Sequence, residues 1–476
     1  MDVYQSWSPT SKQLQSAAPA RAFPPPAPEA GGTACLLAGI AMAYSLYPAE
    51  STPTEMASVA AVAVGIGLLA STFFDSRKGL RNLMRVDLLC LVGIYALTLL
   101  EFLFPQDGFD AMVNTEETTM ALNMVLVGMA CLSLGRHLVK PQPMRTTWLN
   151  LAEISNESLF QVFLICAFLG FLNMLLSVNF NLFEMIDAMM GPRFTEPWGR
   201  SRLGGWSSLL VELALLINIV PPLAGVILNR RKSFSRIKLI IVLAILLLTL
   251  FQGFSGGTRN IFVTYLATFL MGYLLTLSKN TFLNTVIPIF ATILVIGFAS
   301  YHMLEFRTMG LRNYIQNEVY ASDSTRDTLA VDYNLAPMGF IASAMPETHA
   351  YLGAEILTWS LVRPIPRAIW PGKPEGLSVS IEEIAGAEGW TVAATYLGES
   401  YMMAGMFGVI TMSLAFGALA AWWNRMAMAH QSDYALIVYA LGFFAGGVTM
   451  RSMFWLTTTI LPVLALIAFR RFAPLK

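Results

Sequence analysis

Four stretches of the sequence combine charged groups with backbone able to hold them in place. GGTRN (256–260) is a very short link between two apolar runs and puts Arg259 at their boundary. RPIPRAIWPGKP (363–374) presents Arg363, Arg367 and Lys373 on a segment stiffened by four prolines. Stiffness lowers the entropy lost when a polyanion is gripped. LGESYMMAGMFG (397–408) sets Glu399 just ahead of an apolar run, a position from which a carboxylate can act as a general base. The segment 193–205 carries Arg193, with Gly204 further along. Each stretch also has a plainer explanation. They are, in order, a Gly-rich turn with a snorkelling arginine, a connector with solvated charges, a helix-start carboxylate held by the macrodipole, and an unremarkable spacing.

Glu212 is the one acid well inside an apolar run, and intramembrane acids are functional by default, with an internal hydrogen bond as the plainer alternative. His302 and His349 are further acid/base groups without supporting spacing. There is no DxD pair in the loops that matter, and no GxSxG, HExxH or Walker motif. Neither a metal nor a cofactor is expected. Cys35, Cys90, Cys131 and Cys166 all fall inside apolar runs and read as small buried hydrophobes.

The elements that must position these groups are membrane helices. The chain has 476 residues, 55% hydrophobic and 13% charged, with zero formal net charge. A soluble domain carries about a quarter charged residues. Twelve apolar runs are expected to span: 33–47, 53–74, 86–104, 118–134, 158–178, 206–228, 239–254, 261–277, 285–303, 402–423, 434–450 and 452–469. The last two abut, so Gly446, Gly447 and Arg451 are expected to mark a tight hairpin tip. The fold class expected is all-α, a polytopic helical bundle with one large extracytoplasmic loop.

Lys and Arg set the expected orientation. With the N-terminus inside, Arg77, Lys78, Arg81, Arg85, Arg136, Lys140, Arg145, the 230–238 run, Lys279, Arg425 and the C-terminal basic residues are cytoplasmic. Both termini are then cytoplasmic. The basic residues left outside are Arg193, Arg200, Arg202, Arg259, Arg307, Arg312, Arg326, Arg363, Arg367, Lys373 and Arg451, all but one of them arginine. The guanidinium fork matches phosphate oxygens bidentately. Four regions follow: a disordered tail (1–32), a bundle of nine spans (33–303), the large loop (304–401), and three further spans with the C-terminus (402–476). Within the loop, 335–345 and 352–362 are apolar but too short to span, and read as interfacial or re-entrant helices.

GGTRN before an apolar helix, PRAIWPGKP in a large outer loop and GESYMMAGMFG opening a late span resemble the bacterial oligosaccharide repeat-unit polymerases, the Wzy-type O-antigen and exopolysaccharide polymerases. The resemblance covers roughly 33–470. Some members carry an Arg, ten residues, Gly pattern in two outer loops; here Arg193 and Gly204 match in one, and neither Arg363 nor Arg367 does in the other. The resemblance implies a metal-independent glycosyltransferase in the bacterial inner membrane, using an undecaprenyl pyrophosphate-linked oligosaccharide. Glu399, Arg367 and Arg259 would be catalytic. Arg193, Arg307, Arg363, Lys373, Arg451, His349 and Glu212 would bind pyrophosphate or glycan. A flippase and a chain-length regulator of the same pathway are the implied partners, and nucleic acid is not. Two other readings stay open: an O-antigen ligase-like transferase relying on His349, and a transporter or flippase of lipid-linked sugars. The long loop after the ninth run, the lack of repeated halves and a midplane nearly free of charge weigh against the carrier.

Overall fold

The computed structural model describes residues 26–46, 51–106, 108–142, 151–193, 195–198, 208–277, 282–316, 333–365, 369–374, 376–384, 386, 393–428 and 432–472. Helices and turns account for them, with no strand among the described residues. In chain order the helices are α1 (Ala30–Ser45), α2 (Pro53–Ser76), α3 (Val86–Thr98), α4 (Thr115–Gly135), α5 (Asn156–Ser177) and α6 (Leu182–Met189). Next come α7 (Ser208–Leu213), α8 (Val220–Asn229), α9 (Arg236–Ser255), α10 (Arg259–Leu275), α11 (Phe282–Met309) and α12 (Leu311–Gln316). The last six are α13 (Leu335–Ala344), α14 (Ala354–Val362), α15 (Ile381–Ile384), α16 (Thr395–Met428), α17 (Asp433–Arg451) and α18 (Leu456–Phe472).

The starts of the long helices are written locally. Thr52 and Glu55 form a capping box at α2, and Asn114 and Glu117 form another at α4. Ser155, Ser235 and Ser432 cap α5, α9 and α17 by accepting backbone N–H bonds. Small residues then let the helices approach each other closely. A methyl at Gly39 of α1 would lie 2.7 Å from the Ala63 carbonyl of α2. Gly135 and Gly417 play the same part between α4 and α16, as do Gly225 and Gly272 between α8 and α10.

Nine helical stretches among the described residues are long and apolar enough to cross a bilayer: α2, α4, α5, Leu209–Asn229, α9, α11, the 395–427 part of α16, α17 and Met453–Phe472. This is a helical membrane-protein architecture. The other three expected runs correspond to α1, α3 and α10, which have 16, 13 and 17 residues and fall short by length. The two short loop segments form α13 and α14, as the sequence suggests. Two expected boundaries shift. Of the 1–32 tail, residues 1–25 lie outside the described residues, while Ala27 exchanges bonds with Asn82 and α1 begins at Ala30. Gly446 and Gly447 lie within α17, which runs unbroken to Arg451; the hairpin turns at Ser452 instead.

One end of the bundle carries α13. Asn334 donates to the Leu97 carbonyl at 2.7 Å, Tyr333 to Gln106 at 2.7 Å, and Gly339 sits against Glu117. The opposite end is tied by ion pairs. Arg230 pairs with Glu153 and Asp433, and Lys238 with Glu157. There too, Arg85 and Arg136, both 0% exposed, meet Asp75 and Asp87, equally enclosed. Arg85 reaches Asp75 at 2.6 Å and Asp87 at 3.1 Å, and Arg136 lies 3.6 Å from each carboxylate. Asn424 of α16 donates to Asp87, and its own amide oxygen accepts from Val86 N–H and Tyr439 hydroxyl. Two arginines that the sequence counts as loop charges are therefore internal ion-pair partners.

Candidate functional site

The kink in α16 organises the loop end. Ala404 (φ −160°, ψ 35°) and Gly405 (φ 61°, ψ −148°) are non-helical, and the second conformation suits glycine alone. A side chain there would also strike the Tyr351 hydroxyl, 2.7 Å from a built Cβ. The break frees the carbonyls of Met402 and Met403. They accept N–H bonds from Leu352 (2.8 Å) and Gly353 (3.0 Å), so the large loop is keyed into the break.

Glu399 lies on the short helical piece before this kink and is 3% exposed. Its Oε2 accepts the Met453 N–H at 2.6 Å, and the Ser452 hydroxyl is a second donor. Met453 follows Arg451, the last residue of α17, by two positions. The carboxylate thus holds the turn between α17 and α18. Arg363, just past α14, stacks on Trp455 of the same turn at 4.0 Å and is within electrostatic reach of Glu399. Thr457 Oγ1 donates to the Ser360 carbonyl, fastening α14 to this turn. Lys373 donates to the carbonyls of Arg363 (2.6 Å) and Ile365 (3.0 Å), and sits over Trp359. Two of its three protons therefore close the proline-rich loop. Arg367 lies outside the described residues.

A second group forms where three connections meet. Arg193 N–H donates to the Arg307 carbonyl at 3.4 Å. Gly257 (φ 61°) lets the GGTRN turn approach Arg307, whose Cα is 3.0 Å from a Cβ built on that glycine. Arg259 opens α10 two residues later. Arg312 pairs with Asp187, and its N–H donates to the Met190 carbonyl, joining the same junction. So Arg193, Arg259 and Arg307, distant in sequence, share one backbone junction.

Helices α10 and α17 link the two groups. They pack antiparallel, with Gly447 against Thr264 at 3.6 Å. About one turn further toward the loop end, Arg259 and Arg451 stand at the same height. His349 is half-buried in the loop two residues before Tyr351, whose ring meets Tyr401 edge-on at 6.0 Å. Glu212 lies in α7, which leads through the 3-10 turn Ala214–Ile219 against α5 and α18. Sequence reasoning missed Glu101, a carboxylate 1% exposed in the 3-10 turn Leu100–Leu103 at the loop end. The signal was present: an acid within the apolar run LLEFLF, the same sign that marks Glu212.

The arrangement sets one guanidinium, that of Arg363, within electrostatic reach of an enclosed carboxylate at a helix-turn tip, a pairing of an anion-binding group with a proton acceptor. No group of three metal-ligating side chains occurs among the described residues. Residues 336–453 match a family described as a domain of unknown function (DUF8712). That match runs from α13 to Met453, enclosing Arg363, Lys373, Glu399, Arg451 and both ends of the Glu399–Met453 bond. No curated protein and no solved structure matches the chain.

Proposed function

We propose that this protein polymerises undecaprenyl pyrophosphate-linked oligosaccharide repeat units at the outer face of the bacterial inner membrane, in O-antigen or exopolysaccharide synthesis. In this reading twelve helices span, both termini are cytoplasmic and the loop end faces outward. The observation that carries it is Glu399 at the α17–α18 turn, with the Arg363 guanidinium within its electrostatic reach and Arg259 level with Arg451 at the end of α17. The acceptor sugar hydroxyl attacks the anomeric carbon of the donor glycan, the bond from that carbon to the phosphate oxygen breaks, and the pyrophosphate leaves on its lipid. Glu399 takes the hydroxyl proton, and the arginines offset the charge that grows on the departing pyrophosphate. Arg193 and Arg307 extend the same anion-binding face, Lys373 holds the proline-rich loop in shape, and Arg367 of that loop is kept as a catalytic arginine. Glu212 is kept as a glycan-binding acid.

His349 supports a second reading. Its loop is keyed into the α16 kink close to Glu399, as a ligase moving a finished glycan to another acceptor would need.

The test is Glu399→Gln. The amide oxygen still accepts the Met453 N–H, so the turn is kept, but the side chain no longer takes a proton. Elongation should stop at normal protein level while single lipid-linked units accumulate, a rate loss of about 10² to 10⁴. A near-normal polymer ladder overturns the assignment and makes Glu101, Glu212 and His349 the next groups to change. Reporter fusions after Arg236 and Arg425 should report cytoplasm and fusions within 323–332 the outside. A cytoplasmic signal from 323–332 removes the mechanism altogether.

A further inference from the structure

A groove of about 320 Å³ runs between α16, α17 and α18, with Val86 and Cys90 of α3 also in its wall. No charged side chain lines it. Its rim faces outward from the bundle: Leu419 and Trp422 on α16, and Ile460 and Leu464 on α18, are all exposed. Along α18 the lining extends from Leu456 to Ile467, about 16 Å and roughly half the hydrocarbon core. One end of the groove is different. Thr449 lines it there, is 2% exposed, and its Oγ1 has no hydrogen-bond partner. A buried hydroxyl without a partner is costly in a membrane interior. Leu456 adjoins Trp455, which lies under the Arg363 guanidinium.

We infer that this groove holds the first isoprene units of a single polyprenyl pyrophosphate, with the phosphate end at Thr449 and Arg363. This rests on the reading of the protein as a transferase of lipid-linked glycans, and places the lipid rather than the sugar. The charge pattern selects the occupant. An apolar trough with an unpartnered hydroxyl donor at one end and the Arg363 guanidinium beyond it complements a chain whose only polar group is a terminal phosphate. The groove opens sideways, so a lipid-borne substrate enters from the bilayer and its headgroup arrives at the Glu399 turn without crossing water.

The experiment uses the full-length protein in nanodiscs of phosphatidylethanolamine and phosphatidylglycerol, with two photolabels. One is a polyprenyl pyrophosphate bearing a diazirine in its first isoprene units, the other a phosphatidylglycerol bearing a diazirine in an acyl chain. The polyprenyl label should attach to peptides from 441–450 and 456–467, and unlabelled undecaprenyl phosphate should compete it away. Thr449→Val should lower labelling at sub-saturating probe by roughly tenfold, the effect of one hydrogen bond to a charged group. Ala445→Phe, which fills the groove without touching its polar end, should also abolish labelling; gel filtration of both variants checks folding. Equal, uncompeted labelling by both probes means that ordinary bilayer lipid fills the groove, and overturns the inference. Crosslinks between two copies of the chain at Ile460 or Leu464 overturn it as well. The assay needs no turnover, so the outcomes separate. Specific labelling with a fully active Glu399→Gln variant would sink the catalytic reading alone. Labelling elsewhere in a protein that polymerises would sink the groove alone.

Discussion

Removing a single charge from the enclosed quartet of Arg85, Arg136, Asp75 and Asp87 should cost more than any other conservative substitution in the protein. Asp87→Asn keeps the shape of the side chain and much of its bonding to Asn424. It deletes the negative charge that lies 3.1 Å from Arg85 and 3.6 Å from Arg136, leaving two guanidiniums to share Asp75. At a separation near 4 Å each lost contact is about 4 kcal/mol with an effective dielectric of about 20. Relief of the desolvation penalty of the deleted carboxylate offsets much of the two contacts together. Unpairing a buried charge then costs about 3 to 5 kcal/mol net. Arg136→Gln should cost a similar amount for the opposite reason, two carboxylates facing one guanidinium. Combined, the two changes restore neutrality and leave Arg85 on Asp75 at 2.6 Å. The double variant should therefore lose less than the sum of the singles, by about 2 kcal/mol or more. Reversible unfolding by SDS titration in mixed micelles measures all three. Single variants within about 1 kcal/mol of the parent, or strict additivity, would show that water reaches these charges and refute the argument.

Three smaller outcomes are expected. Gly405→Ala, at φ 61° and against the Tyr351 hydroxyl, should destabilise by about 1 to 3 kcal/mol in the same titration, and Tyr351→Phe should restore part of it because the clashing oxygen is gone. Arg367→Lys keeps the charge and loses the fork, so polymer length on a gel at matched protein level should fall sharply; normal lengths would reduce Arg367 to a solvated charge. His137 bonds Thr33 Oγ1 at 2.7 Å, and partial burial with Arg136 alongside holds its imidazole below the usual histidine range. A histidine depressed in the folded state contributes stability above its unfolded value, near pH 6.5, and loses that contribution as the pH falls from there through the lower folded value. Because the ring is partly exposed, solvent screens the effect; the melting temperature should drop slightly more on acidification in the parent than in His137→Gln.

Much of the bundle was legible because a bilayer leaves a coarse mark, a long apolar run with polar ends, and α2, α4, α5, α9, α17 and α18 sit where those runs fall. The short loop helices α13 and α14 were legible for the same reason, as apolar segments too short to span. Hydropathy counts charges and not their partners, so Arg85 and Arg136 read as loop residues. Their acids stand ten residues before, two after, and in the case of Arg136 on quite other helices, and only packing brings them together. The α16 break was hidden too. In MMAGMFG nothing marks Gly405 rather than Gly408 as the site of a break, and the decisive partners, Leu352 and Gly353, lie some fifty residues upstream. Glu399 was read as a residue ahead of a span, whereas it belongs to a separate helical piece whose position the break sets.

The two ends of the bundle handle arginine in contrasting ways, and this bears on what the loop end is for. At the end opposite the large loop, Arg85, Arg136 and Arg230 each sit beside two carboxylates, so their charge is cancelled within the protein. At the loop end the backbone does the gathering. A carbonyl of Arg307 accepts from Arg193, a positive-φ glycine draws Arg259 toward both, and α10 against α17 sets Arg259 level with Arg451. Arg363 stacks on the Trp455 indole and lies within electrostatic reach of Glu399. Main-chain and aromatic contacts thus set where these arginines stand, the part that carboxylates play at the other end. In the reading proposed above, a lipid pyrophosphate would be the anion that this gathering of arginines meets.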